Sequence, residues 1–285
     1  MLGSVRALVA YGLLTINLVV GTTLVFVLSL LKLICPLVVV SEGVAFAITQ
    51  LTGYHARNIR RILEVVCGLE LQVKIPAAID LDGCYTLVAN HRSLVDILVL
   101  IAAGVDVLPP LKFFLKRSLM YVPFMGLFCY LTGYPFVDRY NRSQLRNPKL
   151  RLRQQQNLLD KCKRLFEQPT SLVIFVEGTR YDKLKASRYK YKHLLPPQSM
   201  GLALAMHAKK EQALLDVTLA YEGAAVTPWR LLSGDISQVV VDLRLLTGVE
   251  PVAYQDRKSM VMFHKWLQSL WALKDERLEQ MYADI

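Results

Sequence analysis

The stretch Asn90-His91-Arg92-Ser93-Leu94-Val95-Asp96 sets an imidazole and a carboxylate five residues apart. A histidine held through one ring nitrogen by a carboxylate, with the other nitrogen free, is the base-and-orienter pair of nucleophilic acyl chemistry. The spacing constrains how the two meet. Each helical residue turns by about 100°, so residues five apart on a regular helix point about 140° away from each other. His91 and Asp96 can touch only if the chain bends between them, with His91 ahead of a helix and Asp96 in its first turn. The flanks suit this, because 85–89 reads as a buried strand and 97–103 as a helix. A strand-to-helix turn of this kind lies at the mouth of an α/β sheet, where ligands bind. The plainer alternative is a histidine at a strand end and an acid drawn to a helix start by its dipole.

A second constellation, Val176-Glu177-Gly178-Thr179-Arg180, stands where the apolar run 171–176 stops. Glycine lets the backbone approach a ligand, and its neighbours offer N–H groups, a hydroxyl and a guanidinium. Arginine suits a phosphate because its fork makes two parallel charge-assisted bonds. Glu177 is expected to fix Arg180 or to hold a substrate hydroxyl; a strand-end turn with an ordinary ion pair is the alternative. Arg139, closing the run 134–139, is a second phosphate candidate, and Lys116 closes the run 111–116. The other histidines, His55, His193, His207 and His264, lack a partner at useful spacing and read as structural or surface residues. A metal-dependent phosphatase built on His91, Asp96 and Glu177 would need clustered carboxylates or several histidines, which the sequence does not offer.

These residues need a scaffold and a place to work. Of the 285 residues, 53% are hydrophobic, and 34 Lys+Arg against 23 Asp+Glu give a formal charge of +11. Mean hydropathy is +0.33. Apolar and basic together indicate an anionic membrane surface or anionic substrates. Nucleic acid would fit the charge, but no binding motif supports it. Cys35, Cys67, Cys84, Cys129 and Cys162 are scattered without paired spacing, which argues for reduced thiols in a cytosol-facing domain and against a metal cluster.

Residues 7–31 carry no charge, and as a helix they would span about 37 Å, enough to cross a bilayer. Lys32, Pro36 and Ser41-Glu42 interrupt the next apolar stretch, so 33–54 reads as an interfacial helix or the return arm of a shallow hairpin. Ala45-Phe46-Ala47 resembles a signal cleavage site, yet the apolar part far exceeds a signal core of about 7–15 residues, so a retained anchor is expected. Arg57, Arg60 and Arg61 after the apolar part, against Arg6 before it, place the remainder on the cytoplasmic side.

Beyond the anchor, strands are expected at 69–73, 85–89, 111–116, 134–139, 171–176, 214–221 and 239–246. Helices are expected at 97–103, 150–166, 200–208 and 263–281. Strands separated by helices make an α/β domain over 62–285 behind a membrane anchor over 1–61.

The blocks together resemble the glycerophospholipid acyltransferase family, the group containing bacterial 1-acylglycerol-3-phosphate acyltransferases. Asn90-His91 through Asp96 is similar to its signature, and Gly133 through Phe136 to Arg139 to its second block. Glu177-Gly178-Thr179-Arg180 matches the third, and Leu194-Leu195-Pro196-Pro197 resembles the fourth. Lys116, Pro123 and Gly126 also fall where the family tends to have Lys, Pro and Gly. The resemblance covers about 86–201, and no signature maps after 210. Val176 stands where many relatives have Pro, and Tyr181 where they tend to have Ser or Phe.

The resemblance implies a single acyltransferase domain with a mixed central sheet flanked by helices, preceded by a membrane-embedded helical segment. It implies transfer of a fatty acyl group from acyl-CoA or acyl carrier protein to the sn-2 hydroxyl of lysophosphatidic acid, making phosphatidic acid. Another lysophospholipid or glycerol 3-phosphate stays open as acceptor, and a non-catalytic lipid-binding adaptor is a distant alternative. In this reading His91 is the general base and Asp96 its orienter. Asn90, Lys116, Phe136, Arg139, Glu177, Gly178, Thr179, Arg180 and Pro196 bind substrate. The leaving thiol has a pKa of about 8.5 if it behaves like cysteine, so one base suffices. Ser93 is then a cap or backbone-bonding group. No metal and no cofactor is implied; the partners are membrane lipids, the lysophospholipid and the acyl donor, and not nucleic acid. The implied setting is the bacterial inner membrane. Lys185, Arg188, Lys190 and Lys192 would meet CoA phosphates or lipid headgroups, or form a solvated loop. Tyr121, Phe124, Met125, Leu127 and Phe128 would line an acyl channel or pack a core. Trp266, Leu270 and Trp271 would be interfacial or core.

Overall fold

The computed structural model describes residues 2–35, 38–76, 79–138, 140, 143–209, 211–223, 225–249 and 252–285. The chain begins with two long helices, α1 (Leu2–Ile34) and α2 (Val38–Arg61), and a π-helical turn, Ile62–Val66. It then alternates strands and helices. β1 (Glu70–Lys74) and β2 (Cys84–Ala89) precede α3 (Val95–Gly104). β3 (Leu111–Phe113), β4 (Leu115–Lys116), α4 (Met125–Leu131) and β5 (Phe136–Val137) follow. Next come α5 (Pro148–Leu165), β6 (Thr170–Phe175), α6 (Lys183–Ala186), α7 (Ser199–Ala208) and β7 (Ala213–Tyr221). α8 (Pro228–Ser233), β8 (Gln238–Leu246) and α9 (Arg257–Asp284) complete the order.

Six strands form one sheet in the order β1-β8-β7-β2-β6-β3. Every neighbouring pair is parallel except β7 with β8, so the sheet is mixed, as expected. β2 lies at its centre and is buried along its whole length. Strand alternation sends Tyr85, Leu87 and Ala89 into one core and Cys84 and Val88 into another. The first core is completed by Ala7 and Ala10 of α1, Val99 and Leu100 of α3 and Leu231 of α8. The second holds Cys162 of α5, Leu202 and Ala203 of α7 and Leu267, Trp271 and Leu278 of α9. Two covered faces explain why β2 and β6 read as continuous apolar runs.

The run 111–116 is not one strand. β3 pairs with β6 in the main sheet, while β4 pairs with β5 in a separate two-stranded ladder. The chain changes sheets at Phe114, a step that an unbroken apolar run conceals. The expected strand 134–139 is reduced to Phe136–Val137. α9 starts six residues before the expected 263, because the Asp256 carboxylate accepts the Ser259 N–H at 2.7 Å and caps it at Arg257. α8 has no counterpart among the expected helices; Thr227 caps its start, Pro228 opens it, and Gly234 at φ +82° ends it.

By length and composition α1 can cross a membrane. Its first turns, however, belong to the domain. Ala7 and Ala10 are in the first core and Gly3 lies against Ser233. α2 returns antiparallel along α1, with the Asn17 amide donating to the His55 carbonyl at 3.1 Å and the Asn58 amide to Asn17 at 3.1 Å. The expected boundary between 61 and 62 therefore crosses continuous packing. Exposed apolar side chains run the length of α1, from Leu2, Val5 and Leu8 through Ile16 and Leu24 to Leu33 and Ile34. α4 docks midway along α1, where the Thr22 hydroxyl meets the Phe124 carbonyl and Phe128 is buried against His55. Tyr121, Phe124 and Leu127 stay exposed. Trp271 is core and fully buried.

Candidate active site

The loop from Asn90 to Leu94 joins the centre of the sheet to α3, and a single carboxylate shapes it. Asp96 is fully buried in the first turn of α3. Its Oδ2 accepts the backbone N–H of Arg92 at 2.6 Å and of Ser93 at 2.9 Å, and the His91 Nδ1 at 2.8 Å. Those bonds produce the bend that the five-residue spacing requires. Because a carboxylate accepts, the His91 proton sits on Nδ1 and the Nε2 lone pair remains available. The His91 side chain is 15% exposed, enough for a substrate to reach it. Ser93 is a backbone-bonding group, its hydroxyl accepting the Val95 N–H at 3.4 Å.

The third block holds the same loop from below. Glu177 is buried, with Oε1 accepting the His91 N–H at 2.9 Å and Oε2 the Leu195 N–H at 2.9 Å. Burial pushes its carboxyl up to about 7, against those two N–H bonds, which favour the charged form. The Tyr181 N–H donates to the His91 carbonyl at 2.7 Å. His91 is thus gripped through its backbone by the turn that begins at the end of β6.

Two of the residues expected to bind substrate are engaged by backbone. Glu177 makes no ion pair with Arg180 among the described residues; each of its oxygens accepts a backbone N–H, which ties the His91 loop to Leu195. Asn90 is fully buried, its amide bonded to the Leu219 N–H at 2.8 Å and the Leu219 carbonyl at 3.0 Å. It extends the β2–β7 ladder with a side chain. Gly178, Thr179 and Arg180 are exposed just beyond Glu177, with Gly178 at φ +68° packed against Gln198. Arg180 has no hydrogen bond or ion pair among the described residues. Lys116 is exposed on β4 and Phe136 is buried on β5 beside it, its carbonyl accepting from Lys161. Pro196 is half-buried next to Leu195. Arg139 lies outside the described residues.

Several residues at the site have no signature in the sequence. The Tyr221 hydroxyl at the end of β7 donates to Asp96 Oδ1 at 2.6 Å. Lys274 of α9 is fully buried, its Nζ bonded to Asp216 at 2.7 Å and to the carbonyls of Val88 at 2.9 Å and Val217 at 2.6 Å. Burial lowers its pKa and Asp216 opposes that. Arg277 pairs with the other Asp216 oxygen at 3.0 Å. His193, expected to lack a partner, meets Glu279 at 2.7 Å. A lysine on the inner stripe of the helix pattern 267, 271, 274, 278 is the one available signal.

The Acyltransferase family model matches residues 70–222, more than half of the chain. The chain belongs to the acyltransferase family. The mouse 1-acyl-sn-glycerol-3-phosphate acyltransferase epsilon is 30% identical over 152 residues, which are 47% of this chain and 40% of that protein. A 1-acyl-sn-glycerol-3-phosphate acyltransferase of Haemophilus influenzae is 28% identical over 148 residues, 52% of this chain and 56% of that protein. The chain thus spans about half the length of these relatives. The crystal structure of the 1-acyl-sn-glycerophosphate (LPA) acyltransferase PlsC of Thermotoga maritima has the same fold, with TM-score 0.60, 15% identity and 97% of each chain covered. The match at 70–222 takes in β1 through β7, and so both the His91 loop and the turn after Glu177.

Proposed function

We propose that this chain moves a fatty acyl group from acyl-CoA or acyl carrier protein to the sn-2 hydroxyl of lysophosphatidic acid. The observation that carries the reading is the His91–Asp96 pair, with Nδ1 held at 2.8 Å and no hydrogen bond to Nε2 among the described residues. His91 takes the acceptor's hydroxyl proton as its oxygen attacks the thioester carbonyl. The tetrahedral intermediate then collapses, the C–S bond breaks, and the departing thiolate takes the proton back from the imidazolium. An enzyme nucleophile is not needed. Arg180, Thr179 and the Gly178 backbone hold the phosphate and glycerol, with Lys116 and Arg139 as further cations, which turns a two-body encounter into a held geometry. The relatives named for 1-acylglycerol-3-phosphate favour that acceptor.

The same reading gives the helical pair a purpose. The first turns of α1 touch the domain and α2 returns to it, so the tip of the helical pair reaches into lipid from the domain's side, as an anchor over 1–61 whose exposed face on α1 carries apolar side chains along its length. Arg57, Arg60 and Arg61 after the tip favour the cytoplasmic face of a bacterial inner membrane.

The test is acyl transfer by the membrane-bound chain with oleoyl-CoA and a panel of lysophospholipids and glycerol 3-phosphate, beside His91→Ala. Losing a general base costs about 10²–10⁴-fold in rate. Acylation of lysophosphatidic acid that disappears with His91→Ala supports the assignment. Equal transfer by both proteins sinks it, and transfer to a different acceptor replaces the substrate.

A further inference from the structure

A hydrogen bond at one atom does not fix the plane of an imidazole. The last torsion of a histidine side chain is broad, so the ring can swing about the line from Nδ1 to Asp96. Nε2 would then sweep across the site. A second contact, on the ring's face, is needed to aim it.

Phe175 makes that contact. It is the last residue of β6, in register with Ala89 of β2, and its ring stacks on His91 with centroids 4.0 Å apart and planes 16° from parallel. Phe175 is itself backed. Phe113 of β3 lies 6.1 Å behind it at 17°, and Tyr134 lies 6.4 Å beyond Phe113 at 11°. Phe113 is buried, and β3 is bonded to β6 with Phe113 opposite Val173. Four rings, each nearly parallel to the next, therefore run from the site toward the first core, and strand register fixes Phe175 and Phe113. A flat face at this separation attracts another ring and also blocks its rotation.

We propose that Phe175 is a positioning residue for acyl transfer: its face sets the plane of the His91 ring and so the direction of the Nε2 lone pair. This rests on the reading of His91 as the base. It acts through His91.

The experiment is steady-state kinetics of the full-length chain in vesicles with oleoyl-CoA and lysophosphatidic acid. Phe175→Leu keeps apolar bulk and loses the flat face, whereas Phe175→Tyr keeps the face. A misaimed base costs up to about 10²-fold, so kcat of Phe175→Leu should fall about 10–100-fold with both KM values within about twofold. Phe175→Tyr should remain near wild type. Leucine and tyrosine variants equally impaired, or a leucine variant with wild-type kcat, overturn the proposal. A role through His91 also predicts that adding Phe175→Leu to His91→Ala lowers the residual rate no further; an equal loss in both backgrounds refutes it. His91→Ala with full activity removes the base reading and this inference together. An inactive His91→Ala beside an unimpaired Phe175→Leu removes this inference alone.

Discussion

Tyr221 and Asp96 are 125 residues apart in sequence, and their oxygens lie 2.6 Å apart beneath the candidate base. Both are fully buried. The Asp96 carboxylate is thus shared between its own loop and the far end of β7. One oxygen bends the 91–93 backbone around itself, and the other is tied to the sheet.

Tyr221→Phe removes one donor from a buried carboxylate and changes little else. A charged group left one bond short costs about 1–3 kcal/mol. The variant should unfold at lower urea by that amount and lose kcat with little change in KM. An unchanged urea midpoint would mean that the bond contributes nothing.

Asp96→Asn keeps the shape and removes the charge that three N–H groups share. An amide nitrogen facing two backbone donors is repelled, so the loop must reopen or the amide must turn its oxygen inward. Either way the negative charge that would steady an imidazolium at His91 is gone. Acyl transfer is expected to fall about 10²–10⁴-fold, the range for loss of base function. A loss below tenfold would show that His91 does not depend on Asp96.

Glu177 sets a pH dependence of stability. Its folded pKa of about 7 lies above the ordinary carboxyl value of 4.5, so the folded chain binds this proton more tightly than the unfolded one. The contribution is fully present below pH 4.5 and is lost as pH rises through about 7. Its full size is about 3 kcal/mol, at about 1.36 kcal/mol per unit. Urea midpoints of the wild type should decline between about pH 5 and pH 8 relative to Glu177→Gln, which has nothing to titrate. Parallel curves for the two proteins would contradict the buried, titrating carboxyl.

How legible the sequence is depends on whether partners are local. The His91–Asp96 contact can be inferred because its geometry is confined to one turn. β2 and β6 can be read because burial on both faces leaves an unbroken apolar run. The split of 111–116 is invisible, since apolar character persists while hydrogen-bond partners change. Glu177 misleads for a related reason: its sequence neighbour Arg180 offers a charge, while its real partners are backbone N–H groups that any residue supplies. Tyr221 and Lys274 reach Asp96 and Val88 from 125 and 186 residues away, and no local pattern encodes that.

Lys274→Met tests the long-range tie. Removing one member of a buried ion pair leaves the other uncompensated, a cost of about 3–5 kcal/mol. Arg277 still meets Asp216 at 3.0 Å, so the lower end is expected. The variant combining Lys274→Met with Asp216→Leu should lose less than the sum of the single losses, read from urea unfolding as a double-mutant cycle. Strict additivity would mean that the pair is not coupled.

Arg180 tests the anion side of the site. It is exposed, lacks any ion pair among the described residues and stands three residues past the carboxylate that supports His91. An exposed, unpaired guanidinium one residue before Tyr181, whose N–H bonds the His91 carbonyl, is available to a phosphate, and a charge-assisted bond to one is worth about 1.5–3 kcal/mol. Arg180→Ala should therefore raise KM for lysophosphatidic acid about 10–100-fold. KM for oleoyl-CoA should hold, because the loss is in binding one substrate. Arg180→Lys should recover part of the loss, since lysine keeps the charge without the fork. If KM for oleoyl-CoA rises instead, Arg180 reads the donor's phosphates, and the acceptor's phosphate must be held by another cation.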